Sequence, residues 1–388
     1  MATTAIIYPN FFDERGSKRK LGGVETYLWQ LSRLIADRGG QPVLFQAAER
    51  PFRRQLDHLT VEGIVPGKRL GRSTLQRDLY EHAMDRVASE GGVVVFGADH
   101  ASVPTRYPRS VSIQHGIGWD LPARFYGKAA SGLPLPEGMR KRYVAWRSRR
   151  YFENCPNRVC VDYNFPNWYR AQDTGEDDGR TWTIPNFVDL PRDFVPDLRR
   201  HREEAVRFVF ARRFVEYRGT RTMVAAAQKL LDMLDDVSFC FAGEGPDEEY
   251  IRERFGNHTR VSITRFHSDE SLSFHSRFHV AVVPSLASEG TSLSLAEAMG
   301  AGCAVVATGI GGMTNMVIDG YNGRLVQPDA DALAAILHEL TTDRAQRTRL
   351  ATRAADTARD AFSLERWRDR WSRVLDEIER RPLSNVST

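Results

Sequence analysis

Short apolar runs alternate with amphipathic stretches along almost the whole of this 388-residue chain, and that alternation restricts its fold more than any other feature. A strand covered on both faces reads as a brief continuous apolar run, and its covering helix as a period of 3.6 residues. Repetition of the two is the pattern of parallel sheets with helices on both faces, an α/β class. Residues 5–8 read as the first strand. Val24, Tyr27, Leu28, Leu31, Leu34 and Ile35 then recur at helical spacing until Gly39-Gly40 ends the helix. Further strands are expected at 42–45, 93–96, 111–114 and 158–161, with loops at 127–135 and 174–179.

A second series begins after Ile184-Pro185-Asn186. Its strands are expected at 207–211, 238–242, 261–263, 280–283, 304–307 and 323–326, with helices at 221–234 and 293–299. Prolines and charged residues between 185 and 205 mark a hinge, and beyond 326 the pattern is helical as far as 381. The two series differ in sequence, so they read as two related folds and not a solenoid. The length also suits two domains of about 150–200 residues each.

Composition matters here for what it excludes. With 41% hydrophobic and 27% charged residues, the chain is neither disordered nor fibrous. The net charge of +4 argues against a nucleic-acid partner, although cationic side chains are in surplus only in residues 1–190. No apolar run reaches the ~20 residues that span a bilayer, and the first residues lack the basic start and apolar run of a signal peptide. Cys155, Cys160, Cys240 and Cys303 form no CxxC pair. They read as reduced thiols of a cytoplasmic protein.

The most informative stretch runs from Pro284 to Met299: an apolar strand ends, a loop carrying Glu289 and Gly290 follows, and a helix opens. Ligands of open parallel sheets bind at the carboxyl ends of strands. The N–H groups of Thr291, Ser292 and Leu293 would face a phosphate there. Glu289 and Glu297 could flank one ligand and accept hydrogen bonds from sugar hydroxyls. The same spacing equally suits a cap at Glu289 and a surface residue at Glu297. A second strand end carries Arg213 and Arg218, five residues apart, which can clamp a diphosphate or simply flank a helix start in solvent. A third, Phe241-Ala242-Gly243-Glu244-Gly245-Pro246, has glycines that permit close approach. In the first half, Gly22 and Gly23 precede the first helix and offer a small phosphate loop. His115 stands at a strand end beside Gly116, where histidines are more often structural than catalytic.

These pieces resemble glycosyltransferase family 4, the retaining nucleotide-sugar transferases of the GT-B fold. The Glu289-x7-Glu297 pair in Ser288-Glu289-Gly290-Thr291-Ser292-Leu293 carries the resemblance, as do Ala298–Thr308, Asp319–Val326, Phe241–Pro246 and Ile184–Asp189. It is continuous from about 184 to 337 and rests, in the first half, on Gly22-Gly23, the first helix and His115. The resemblance implies two Rossmann-like domains facing each other across a cleft. An acceptor domain would span 1–185, with a terminal helix 363–388 crossing back to it, and a donor domain would span 186–362.

It further implies that Arg213 binds the diphosphate, with Arg218 where the family usually has lysine. Glu289 would bind the sugar hydroxyls and Glu297 the ribose, with Gly22, Gly23, Gly243, Gly290, Thr291, Ser292 and Leu293 lining the donor site and His115 beside the sugar. Phe187 and Thr291-Ser292 depart from the usual pattern without removing a charge. The expected reaction moves a hexose from a GDP- or UDP-sugar to a hydroxyl of a glycan or polyprenyl-linked glycan, as in surface polysaccharide or lipopolysaccharide synthesis.

No cofactor is expected, because Asp329-Ala330-Asp331 reads as a helix start and not a DxD metal motif. Six basic residues in 138–150, interleaved with Tyr143, Val144 and Trp146, suit either a solvated face or peripheral contact with an anionic membrane at the inner face of the cell. Two other readings are a GT-B phosphorylase or sugar-nucleotide epimerase, and a non-catalytic sugar-nucleotide-binding protein. A dehydrogenase is disfavoured, since no GxGxxG follows the first strand.

Overall fold

The computed structural model describes residues 2–20, 22–67, 72–121, 136–172, 180–287 and 289–383. The loops expected at 127–135 and 174–179 lie outside the described residues, as does Ser288. The chain forms two compact units. One comprises 1–115, 138–184 and 368–388, and the other 116–137 and 185–367.

The first unit is built on an eight-stranded sheet in the order β3-β4-β2-β1-β5-β6-β7-β8. Its strands are β1 (Thr3–Ile7), β2 (Gln41–Ala47), β3 (Phe52–Leu56), β4 (Leu59–Ile64), β5 (Val93–Phe96), β6 (Ser110–Gln114), β7 (Asn157–Cys160) and β8 (Arg180–Thr183). All pairs are parallel except β3 with β4. Its helices are α1 (Gly23–Asp37), α2 (Arg72–Val87), α3 (Glu137–Glu153) and α4 (Asn164–Gln172). Val93, Val94, Val95 and Phe96 of β5 are all buried, so this central strand has no solvent face.

The second unit has a six-stranded parallel sheet in the order β11-β10-β9-β12-β13-β14. These are β9 (Val206–Ala211), β10 (Val237–Ala242), β11 (Val261–Thr264), β12 (Val280–Val283), β13 (Ala304–Thr308) and β14 (Arg324–Val326). Between and after them come α5 (Thr220–Met233), α6 (Glu248–Phe255), α7 (Ser271–His275), α8 (Leu293–Gly300), α9 (Ala330–Thr342), α10 (Arg344–Phe362) and α11 (Leu364–Glu379). Phe208 and Phe210 of β9 enter one apolar layer and Val209 and Ala211 the other. Phe208 stacks on Phe239 at 4.9 Å, and complete burial of such a side chain contributes roughly 1.5–3 kcal/mol. From Arg368 onward α11 belongs to the first unit. There Trp371 is fully buried and donates to the Tyr27 hydroxyl at 2.7 Å, while Arg38 meets Asp376 at 2.7 Å.

In each unit the first strand lies inside the sheet, and the chain winds outward from it first one way and then the other. The direction reverses between β1 and β5 in the first unit and between β9 and β12 in the second. Crevices of open α/β sheets form at the carboxyl ends of such strand pairs. That geometry puts Tyr8 and Gly97 at the first switch point, and Arg212 and Ser285 at the second.

Candidate functional site

At the second switch point the loops after β9, β12 and β13 are pressed together through glycine. The loop after β9 carries a 3-10 turn, Glu216–Arg218, closed by Gly219 at φ 82°. A Cβ on Gly219 would lie 1.8 Å from the Pro284 carbonyl oxygen, so only glycine fits. Leu286 N–H then donates to the Tyr217 carbonyl at 2.9 Å. From the other side, Gly312 N–H donates to the Glu289 carbonyl at 2.8 Å, and a Cβ on Gly311 would lie 2.1 Å from that same oxygen. Glu289 is thus fixed by its backbone before its side chain makes any contact.

The Glu289 carboxylate is buried and meets two guanidinium groups. Arg212 Nη2 donates to Oε1 at 2.9 Å and to Oε2 at 3.0 Å, and Arg218 Nη1 also donates to Oε2. Ser285 Oγ accepts from Arg212 Nη1 at 2.9 Å and donates to Glu289 Oε2 at 2.8 Å. Thr308 Oγ1 in turn donates to the Ser285 carbonyl at 2.5 Å. Burial lowers Arg212 to about 10, and burial together with repulsion from Arg212 and Arg213 lowers Arg218 to about 10 as well. Both guanidinium groups remain cations at neutral pH, and the cluster has net positive charge beside an opening helix.

Arg213, the cation expected to lead the clamp, is exposed on the loop after β9. Its neighbour Arg212 is the one that turns inward, with its side chain only 7% exposed. The sequence shows two adjacent arginines at a strand end, and only the path of the chain past Ala211 decides which faces Glu289.

The opening of α8 differs from expectation in one respect. Ser292 N–H is not free for a phosphate, because it donates to Met316 Sδ at 3.2 Å. The Ser292 hydroxyl caps the helix by accepting from Leu295 N–H at 3.4 Å. Thr291 is buried, with its hydroxyl accepting from Asn186 N–H at 2.8 Å and its carbonyl accepting from the Asn186 amide. Leu293 is half-buried in the first turn, and Gly290 forms the floor against which Gly312 packs. Gly243 meets protein and not open space: a Cβ there would lie 2.0 Å from the Arg212 carbonyl oxygen. Its glycine is required by the crossing of two loops.

Glu297 lies one turn into α8, half-buried, and accepts from Ser271 Oγ of α7 at 2.6 Å. Burial lifts its carboxyl to about 7, with the Ser271 hydroxyl pulling the other way. The two glutamates therefore differ sharply. Glu289 is neutralised by arginines, and Glu297 is poised to change charge near neutrality.

At the first unit's switch point, His115 Nε2 lies 2.8 Å from the Gly97 carbonyl oxygen, and its ring meets Tyr27 edge-on at 5.4 Å. Burial lowers it to about 4. His115 is therefore neutral at pH 7, with its Nε2 proton on Gly97 and the Nδ1 lone pair available as an acceptor. Gly22 caps α1 in an extended conformation, and a Cβ there would lie 2.4 Å from Glu25 Oε2. Gly23 opens the helix. Glu25 is buried and accepts from the Tyr8 hydroxyl at 3.0 Å, which together with burial raises Tyr8 well above the ordinary phenol range.

Asp329 accepts from the N–H groups of Asp331 and Ala332, both at 2.9 Å, and so caps α9. Asp331 pairs with Lys229. Among the described residues no three His, Cys, Asp or Glu side chains gather in a way that could hold a metal ion.

Residues 205–343 match the family described as Glycosyl transferases group 1. A phosphatidyl-myo-inositol mannosyltransferase of Mycolicibacterium smegmatis is 26% identical over 352 residues, which covers 86% of this chain and 85% of that one. Sucrose-phosphate synthase from Thermosynechococcus elongatus superposes with a TM-score of 0.74 at 19% identity, over 97% of this chain and 99% of its own. Anabaena Alr3699/HepE in complex with UDP-glucose superposes at 0.68 and 16% identity, over 97% and 100%. The family match over 205–343, the relative that spans most of the chain and the two-sheet GT-B architecture agree in pointing to a family 4-type glycosyltransferase.

Proposed function

We propose that this glycosyltransferase moves a hexose from a GDP- or UDP-sugar to a hydroxyl of a glycan or lipid-linked glycan, with retention of configuration and without a metal. The observation that carries the reading is the arginine-bound Glu289 at the second unit's switch point. Arg218 and the exposed Arg213 supply the cations for the leaving diphosphate, Glu289 accepts from the sugar's hydroxyls, and Glu297 accepts from the ribose. Concentrated positive charge where the leaving group develops negative charge is the largest source of rate enhancement in such a reaction. Delivery takes place on the face that the diphosphate leaves. The bond from the anomeric carbon to the diphosphate oxygen breaks, the acceptor oxygen bonds to that carbon, and the acceptor's proton passes to the departing diphosphate. Neither glutamate is a nucleophile. Neutral His115 can accept a hydrogen bond from a hydroxyl through Nδ1 but cannot neutralise an anion.

A thermal-shift panel of UDP, GDP, ADP and TDP tests donor binding. The matching diphosphate at 100 times its dissociation constant adds about 2.7 kcal/mol. A panel with no response contradicts the reading.

The mannosyltransferase relative, named for a phosphoinositide, favours a lipid-linked acceptor over a free glycan. Helix α3 fits that choice, since Met139, Tyr143 and Trp146 are exposed among its arginines and lysine. The protein should sediment with vesicles containing anionic phospholipid and stay in solution with neutral ones. Equal recovery with both would contradict the membrane contact.

A further inference from the structure

The proposed transfer asks Arg218 to do two things, since it is bonded to Glu289 in the structure and is needed on the diphosphate during the reaction. Arg212 resolves the conflict. Its backbone is pinned on both sides: its N–H donates to the Ala242 carbonyl at 3.0 Å, and its carbonyl is overlaid by Gly243. Its guanidinium reaches both oxygens of Glu289 and the Ser285 hydroxyl, and its side chain is almost excluded from water. A buried carboxylate stripped of every cation takes up a proton, and a protonated carboxyl accepts fewer hydroxyl hydrogen bonds.

We infer that Arg212 is the positioning residue that keeps Glu289 ionised and oriented once the diphosphate has drawn Arg218 away. It acts through Glu289 and does not itself touch the nucleotide. This inference rests on the proposed transfer, and it predicts a division of effects that a merely structural arginine would not produce. Three side chains bond to the Glu289 carboxylate: Arg212 at the end of β9, Arg218 on the 3-10 turn and Ser285 after β12. Only Arg212 is both buried and bidentate.

The test is a double-mutant cycle on the full-length enzyme, using Arg212→Met, Arg212→Lys, Glu289→Gln and the Arg212→Met/Glu289→Gln pair. Arg212→Met should lower kcat/KM for the sugar donor about 10- to 100-fold, the range expected for lost charge-assisted bonds. The dissociation constant of the free nucleoside diphosphate should change less than about threefold. Arg212→Lys, which restores charge but reaches fewer acceptors, should recover part of the loss, and it serves as the test if the methionine variant does not fold. In the Glu289→Gln background, Arg212→Met should add less than about threefold.

The inference is overturned if nucleotide affinity falls in step with turnover, if the two substitutions multiply, or if the methionine variant transfers sugar normally. Should the wild type transfer no sugar from any donor, the proposed function fails first. The same cycle is then read from melting temperatures, where additive losses would overturn the Arg212–Glu289 coupling by itself.

Discussion

Two carboxylates eight residues apart share one loop-helix segment, yet their surroundings differ. Glu289 is compensated by guanidinium groups, whereas Glu297 has a single serine hydroxyl and a folded-state value of about 7. A carboxyl raised on folding binds its proton more tightly in the folded state, so it lowers stability as pH rises from its unfolded value towards 7. The penalty is then constant above 7. Glu297→Gln should therefore melt higher than wild type at pH 8 by an amount that vanishes near pH 4. The same variant should bind nucleoside diphosphate more weakly, and only the wild type should gain affinity as pH rises through 7. Calorimetric melting and nucleotide titration at pH 4, 6 and 8 check both. A melting difference that is flat with pH would show that Glu297 is not the titrating group. At this scale the sequence put Glu289, Arg218 and His115 in loops after strands and Glu297 in the helix that follows, and the structure has them there. The sequence could not distinguish Arg212 from Arg213, because both follow the same apolar strand and the turn that separates them depends on Gly243 and the loop it crosses.

Elements were legible where burial is complete. The strands expected at 93–96 and 280–283 are found at those residues, and most of the others shift by one or two positions at an end. The hairpin of β3 and β4 was not foreseen. Its outer strand, Phe52-Arg53-Arg54-Gln55-Leu56, lies at the sheet edge with three exposed polar side chains, so it carries no apolar run. Strand β8 is another edge strand without a buried residue, and it escapes for the same reason. The Asp329-Ala330-Asp331 segment, read as a helix start, does cap α9. Asp329→Ala should cost about 0.5–2 kcal/mol of stability in urea unfolding. It should leave sugar transfer unchanged, and transfer should also survive excess EDTA. Loss of activity in the variant, or loss in EDTA with rescue by manganese, would restore the metal reading of this motif.

For the whole molecule, the alternation of short apolar runs with amphipathic stretches was enough to call for two parallel α/β sheets, and both are present. The family resemblance is likewise borne out by the match over 205–343 and by the mannosyltransferase relative. Donor base, sugar and acceptor were not legible. They depend on side chains that line a ligand, and residues 122–135, within the expected acceptor domain of 1–185, lie outside the described residues. In each unit the chemistry-bearing residues cluster at the switch point, where the topology and not the composition puts them. In the proposed reaction an arginine-supported leaving group departs while the acceptor attacks the same face. Proton NMR of the product formed from an α-linked nucleoside-diphosphate hexose tests it most directly. An α-glycoside is the predicted product, and a β-glycoside would contradict both the same-face mechanism and the roles given to Arg218 and Glu289.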